Sequence, residues 1–358
     1  MTDLFNPTDE HAQLRDMVRR FVETEVEPQA LEHDRTETFN LDLFRKVGGL
    51  DLLGVTVGDE FGGAGMDAVA AVIVHEELAA SDPGFTLSYL AHSMLFANNL
   101  YQNGNDAQRA KYLPAACKGD AVCGMCMSEP DAGTDVLGMR SIARKDGDSY
   151  VLTGNKMWIT NGAIAKGELG DTFLVYARLE GAARNELSMF IVEKGMPGFS
   201  LGQKIEDKLG MRASTTAELV FEDCRVPAEN LVGTEGSAML HMMRNLEIER
   251  LTLAAMSLGI ARRSIEVMNN YARDRKSFGE PLNRFGQIQR HIAESYAAYM
   301  AGRSYTYNVA AAMDLAKPGQ RLETDGVKLF CSTMGKDVAD RAIQVLGGYG
   351  YTGEYHVE

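Results

Sequence analysis

The spacing of apolar residues divides the chain into three stretches. From residue 1 to about 120 the period is helical: Leu14, Met17, Val18 and Phe21 recur three and four apart, and VAAVIVHEELAA (69–80) forms a second run. That run ends at Ser81-Asp82-Pro83-Gly84, which reads as a helix stop followed by a turn. Between about 121 and 235 the pattern changes to short β-branched and aromatic runs set off by Gly, Asn and Pro: SYVLTGNKMWITNG, DTFLVYARLEG, ELSMFIVEKGMPG and TAELVFEDCRVP. These predict an antiparallel sheet folded on itself, a barrel or sandwich. From 236 to 358 long amphipathic segments return, MLHMMRNLEIERLTLAAMSLGIARRSIEVMNNYARDR first, and predict a helical bundle. A multidomain α and β protein is expected, helical, then β, then helical.

One position in the last stretch breaks its pattern. In RNLEIERLTLAA (244–255), Leu246, Glu249, Leu253 and Ser257 fall on one helical stripe, and no basic residue lies three or four positions from Glu249. Glu247, by contrast, is three residues from both Arg244 and Arg250 and reads as a surface acid. A carboxylate on an apolar stripe is costly to ionise, and the raised pKa that follows suits a general base working near neutrality. The residues alone leave a second reading open, a half-exposed acid whose partner comes from elsewhere in the fold.

Composition narrows the classes. With 358 residues, 45% hydrophobic and 24% charged, the chain has the make-up of a soluble globular protein of two or three domains. A net charge of −14 argues against nucleic acid or an anionic membrane as principal partner. The longest unbroken apolar run, AVAAVIV, is far too short to span a bilayer. MTDLFNPTDEHAQ has neither a secretory nor a transit layout, so a cytoplasmic protein, or a processed one of an organellar matrix, is expected.

Five cysteines, an odd number, argue against a disulfide framework. Cys123 and Cys126 match C-x-x-C, but they lie in what reads as a strand and have no second pair for zinc. Gly348, Gly350 and Gly353 match a dinucleotide fingerprint. They follow a helix instead of a strand, and so read as a helix end and turn.

Two segments carry candidate chemistry. MCMSEPDAGTDVLG (125–138) runs a strand into a loop of small residues with the hydroxyls of Ser128 and Thr134, which fits an anion- or carbonyl-binding loop or an ordinary connection. KMWITNG holds the single tryptophan, Trp158, with Thr160 beside it. The pair would offer an aromatic face and a hydroxyl to a planar cofactor, or Trp158 would be a core residue.

Taken in order, KYLPAACKGD, MSEPDAGTD, WITNG, VEKGMPGFS, KLGMRAS, FEDCRVP, RKSFG and QVLGGYGY resemble the acyl-CoA dehydrogenase family across nearly the whole chain, and its isovaleryl-CoA type most. The resemblance implies a helical N-terminal domain, a β-domain and a C-terminal four-helix bundle that hold FAD where they meet. It places Met125, Met127, Ser128, Gly133 and Thr134 on one side of the flavin, and Trp158, Ile159 and Thr160 on the other. Arg275 would hold the pyrophosphate, partly in a neighbouring subunit of a homotetramer, with Phe278, Gln287, Gln344, Gly347 and Gly348 around the rest. Thr134, Leu240, Glu247 and Arg250 are placed towards the acyl-CoA substrate, and an electron-transfer flavoprotein would accept the electrons. In isovaleryl-type members the base sits on this helix, at the position of Glu249; in most others it comes from a loop past the glycine turn. The family continues beyond YTGEYHVE, so the bundle reads as truncated. Two departures bear on substrate size: Ala254 and Ala255 stand near where a Gly-Gly pair is common, and Leu240 stands where a tyrosine is expected.

Overall fold

The computed structural model describes residues 3–317, 319 and 321–357. Seven helices form the first unit: α1 (Asp9–Phe21), α2 (Glu27–Thr36), α3 (Leu41–Gly49), α4 (Ala68–Ala79), α5 (Pro83–Leu90), α6 (Asn99–Asn103) and α7 (Asp106–Lys118). Thr8 caps α1 by accepting the His11 amide, and acids in its first turn and arginines in its last complement the helix dipole. Helix α4 stops at Ala79 and the chain turns through residues 80–81 as expected, but a new helix then starts at once. The Asp82 side chain accepts the Phe85 amide at 2.8 Å, Pro83 takes the first helical position, and α5 begins there.

Ten strands follow: β1 (Cys123–Cys126), β2 (Ile142–Asp146), β3 (Ser149–Thr160), β4 (Ala163–Ala165), β5 (Glu168–Leu169), β6 (Thr172–Leu179), β7 (Leu187–Glu193), β8 (Phe199–Ile205), β9 (Thr216–Pro227) and β10 (Leu231–Val232). Eight of them make one sheet in the order β10-β7-β6-β2-β3-β9-β8, with β1 also on β6. The expectation of an antiparallel sheet holds for most pairs, but β1–β6 and β2–β6 are parallel. The sheet curls until Phe199 of β8 meets Phe173 of β6, with ring centroids 5.8 Å apart. Its inner face holds Cys126, Phe173, Val175, Phe190 and Phe221. Its outer face, with Cys123, Leu174, Tyr176 and Met189, packs on the helices. Both thiols of the C-x-x-C pair are buried in the strand and pushed well up by that burial, as a structural reading of the pair requires.

The last unit has α8 (Ala238–Asp274), a small hairpin of β11 (Lys276–Ser277) and β12 (Glu280–Pro281), then α9 (Gly286–Ala312) and α10 (Arg321–Leu346). These are the long helices of the expected bundle among the described residues, and α10 begins four residues before the anticipated Asp325. The glycines after Leu346 form a tight helical turn, not a phosphate loop. No described helix is long and apolar enough to cross a membrane.

Helix α4 is buried on every side and locks the two helical units together. Its two acids lie inside. Arg15 donates to Glu76 at 3.0 Å and to Glu77 at 2.6 Å, Arg262 to Glu77 at 2.7 Å, and Arg303 to Glu76 at 2.8 Å. Burial pushes the Glu77 carboxyl up, but Arg262 and its neighbours win and bring it down to about 2. Where α8 crosses α4, Gly259 allows the contact: a β-carbon there would lie 2.4 Å from the Glu76 carbonyl oxygen. Gly259→Ala is therefore expected to destabilise the fold by about 1–3 kcal/mol despite the better helix propensity of alanine. Urea unfolding checks this, and a midpoint equal to that of wild type would refute the close-crossing account.

Candidate active site

The two segments singled out above lie side by side. The Met157 amide donates to the Ser128 carbonyl at 2.9 Å. One residue earlier, the Lys156 ammonium, fully buried, donates to Glu129 at 2.8 Å and to the Met127 carbonyl at 3.1 Å. Glu129 also accepts the amides of Arg140 at 2.6 Å and Ser141 at 3.0 Å. Burial would raise the Glu129 carboxyl, yet Lys156 and these amides hold it below its ordinary value; burial lowers the lysine against the pull of Glu129. This ion pair clamps the loop 128–135 against β3. The sequence reading gave it no role, because its partners are 27 residues apart.

Beyond the clamp, β3 is bulged between Lys156 and Ile159, and Trp158 takes a left-handed φ of 65°. The bulge turns the indole outward, 60% exposed, so Trp158 is not a core residue. Thr160 is half-buried, Gly133 and Thr134 are exposed on the facing loop, and Met125, Met127 and Ser128 are half-buried at the end of β1. Ile159, grouped with them on the flavin, buries its side chain in the curled sheet's core, leaving its main chain for such a contact.

The predicted stripe on α8 is present as a row of half-buried residues, Leu246, Glu249, Leu253 and Ser257. Among the described residues nothing donates a hydrogen bond or forms an ion pair to the Glu249 carboxyl. Burial pushes that carboxyl up to about 7, against smaller downward pulls from Arg250 and Lys328. Glu249 thus keeps the isolation expected of it, whereas Glu247 does not stay at the surface. Glu247, read as a surface acid, is only 7% exposed and accepts the Gly319 amide at 3.1 Å. Arg250 pairs with Asp325 of α10 at 3.0 Å. Leu240 is exposed in the first turn of α8. Ala254 and Ala255 are buried in the main core, off the open stripe.

The remaining predicted residues gather elsewhere. Arg275, Phe278, Gln287, Gln344, Gly347 and Gly348 are all exposed, Phe278 at 95%, around the far end of the bundle. With 26 helical steps between Glu249 and Arg275, that end lies about 39 Å along α8 from the acid. One chain therefore carries two separated sets. The first surrounds Trp158 and the clamped loop, and the second forms an open surface at the other end of α8.

Comparison with known proteins gives matches along the chain. Models for the acyl-CoA dehydrogenase N-terminal, middle and C-terminal domains match residues 8–120, 124–224 and 239–358. A mitochondrial isovaleryl-CoA dehydrogenase of Oryza sativa subsp. japonica is 41% identical over 98% of this chain and 85% of its own length. A short-chain specific acyl-CoA dehydrogenase of Clostridium acetobutylicum is 38% identical over 99% and 92%. The structure of butyryl-CoA dehydrogenase from Megasphaera elsdenii superposes with a TM-score of 0.92 at 33% identity, covering 98% of this chain and 91% of that one.

Proposed function

The chain belongs to the acyl-CoA dehydrogenase family, FAD-dependent oxidoreductases acting on CH–CH bonds of acyl-CoA, and on that footing we propose that it dehydrogenates a short branched acyl-CoA of the isovaleryl type with Glu249 as base. The observation that carries the assignment is the isolated carboxyl on the α8 stripe, brought to about 7 by burial. A base with that value is half ionised near neutrality and is strong enough to take the α-proton of a thioester.

The residues present fit FAD. Trp158 stands out from its strand, and across from it a β-carbon at Gly133 would meet nothing within 4 Å, so a planar group can approach the loop backbone. In this reading Met125, Met127, Ser128, Gly133, Thr134, Trp158, Ile159 and Thr160 hold the ring end. Bound FAD supplies the two-electron acceptor for the β-hydrogen, which leaves as hydride. Glu249 takes the α-proton, and the apolar neighbours Leu246 and Leu253 keep water from its carboxyl. The product is a 2,3-enoyl-CoA, and an electron-transfer flavoprotein receives the electrons. Arg275, Phe278, Gln287, Gln344, Gly347 and Gly348 hold the dinucleotide end for a neighbouring copy. Their common exposure and their distance from Glu249 support that division of labour, and with it assembly as a homotetramer.

For the acyl group, Ala254 and Ala255 lie in the core, so Leu246, Leu253 and Ser257 set the width of the open stripe. Short-chain and butyryl relatives stand beside the isovaleryl ones, which makes straight four-carbon chains the natural competitor. A methyl-sized difference is worth about 1–3 kcal/mol, roughly 10–200-fold in rate. Anaerobic bleaching of the flavin by isovaleryl-CoA is expected to outrun that by butyryl-CoA by at least about tenfold. The reverse order would move the substrate to the straight-chain class, and no bleaching across a panel of chain lengths would overturn the dehydrogenase reading.

A further inference from the structure

The two walls assigned to the ring end of FAD meet along a seam that no ladder closes. Strand β1 pairs with β6, and β3 pairs with β2 and β9, but β1 and β3 do not pair with each other. At the near end the Met157 amide and the Lys156–Glu129 clamp join them. At the far end a side chain does so. Asn161, fully buried just past Thr160, donates from Nδ2 to the Cys123 carbonyl at 3.0 Å and to the Ser88 carbonyl of α5 at 2.9 Å. Its backbone amide donates to the Thr215 carbonyl at 3.0 Å. The nitrogen's place is fixed, since a flipped side chain would set its oxygen against two carbonyls. The Oδ1 atom has no partner among the described residues, so only the donating half of the side chain is engaged. Residue 161 adopts a left-handed φ of 63°, which asparagine tolerates.

The amide side of the same residue of β1 is held as well. The Cys123 amide donates to His92 Nδ1 at 3.0 Å, and His92 Nε2 donates to the Ala116 carbonyl at 3.0 Å. Burial brings His92 down to about 4, so the ring is neutral and accepts at one nitrogen while donating at the other. Beside this point the seam is narrow: a β-carbon on Gly124 would lie 2.8 Å from the Thr160 carbonyl oxygen.

We propose that Asn161 is a positioning residue for the flavin: by tying Cys123 to the turn after Thr160, it sets the spacing between the wall of Met125 and Met127 and the wall of Trp158 and Thr160. The proposal rests on the assignment of those residues to the ring. Strand β3 bulges between Lys156 and Ile159, so the seam has a tie on either side of the segment that presents Trp158. A planar group held between two walls gains dispersion from both only while both stay in contact. A gap of about 0.5–1 Å forfeits roughly a quarter to a half of that attraction. The clamp at Lys156 alone would leave the far ends of the walls free to part.

The test compares flavin-loaded wild type with Asn161→Gly, which keeps the left-handed backbone and removes both side-chain donations. Equilibrium dialysis well below the melting temperature is expected to give a dissociation constant for FAD about tenfold higher, the scale of one or two ordinary hydrogen bonds. The visible circular dichroism of the bound flavin should change with it. Gln108 supplies the control, because it too donates to two carbonyls, those of Glu229 and Leu231 at 2.8 Å each, but at the β10 edge of the sheet. Gln108→Ala should lower the melting temperature and leave the flavin as it is. Gly124→Ala forces the seam apart with the tie intact; it should weaken FAD binding in the same way, and it decides alone if Asn161→Gly does not fold. An asparagine that merely supports the fold would lower the melting temperature without touching the flavin. Wild-type affinity and dichroism in the folded variants therefore overturn the proposal, as does an equal loss of FAD in Gln108→Ala. The outcomes for the reaction are separate. Weakened FAD in a protein that no acyl-CoA bleaches sustains the seam and removes the dehydrogenase reading. Normal bleaching with unmoved affinity does the reverse.

Discussion

Glu249→Gln should bind flavin, stay yellow, and lose about 10²- to 10⁴-fold in the rate at which acyl-CoA bleaches it, the range a positioned general base contributes. Glutamine keeps the shape of the side chain and removes only its ability to take a proton. In wild type the carboxyl titrates near 7, so bleaching should rise through neutrality to a plateau on the alkaline side; the variant's residual rate should be flat there. Stability should move the other way. A carboxyl whose folded value lies above the ordinary 4.5 favours the neutral form, so its contribution is complete below about 4.5 and is lost as pH rises towards 7. The Gln variant has no such loss and should melt higher than wild type at pH 8, with the gap closing near pH 4.5. Such a gain on removal of a strained group is the usual exchange between stability and activity. Bleaching at the wild-type rate would place the base elsewhere in the protein.

Lys156→Met is the second large effect, and it acts on both fold and cofactor. The substitution strands the Glu129 carboxylate in the interior with only the Arg140 and Ser141 amides for company. Removing one partner of a buried pair costs about 3–5 kcal/mol. The loop 128–135 also loses its tie to β3, so flavin retention should fall with stability. Two checks separate the charge from the packing. The deficit should shrink as pH falls, because protonation of the stranded Glu129 removes the charge. Restoring neutrality with Glu129→Gln in the same chain should recover most of the stability, because two neutral groups of similar shape replace the pair. Chemical denaturation of the four proteins of that cycle measures both, and a double variant no better than Lys156→Met would show that packing, not charge, is what the clamp supplies.

Much of this arrangement is legible in the sequence, and the failures share a cause. The three-part order follows from period alone, since each face must alternate at its own spacing to reach the core. The isolation of Glu249 is also visible, because helical neighbours are fixed by numbering. Where the deciding partner is remote, the reading goes astray. Glu247 has arginines at helical spacing and is nevertheless taken inward by the Gly319 amide, 72 positions away. Glu129 and Lys156 appear in the two most informative segments, but only the folded sheet makes them a pair. At Asp82-Pro83 the local signal marks the stop of α4 correctly, and the same acid before proline also begins α5. The parallel pairings of β6 lay beyond reach, because strand neighbours depend on how the sheet curls.

The acids of α4 also impose an order of events on a growing chain. During synthesis Glu76 and Glu77 emerge long before two of the arginines that neutralise them, and Arg303 stands 227 positions after Glu76. At ordinary elongation rates that gap lasts about 10–45 s, ample time for a short helical unit to fold by itself if its interior allowed it. Here it allows only a partial closure: Arg15 of α1 reaches both carboxylates early, but Arg262 and Arg303 complete their pairing only when α8 and α9 have been made. The first helical unit is therefore expected to stay loosely closed over α4 until α8 and α9 pack against it.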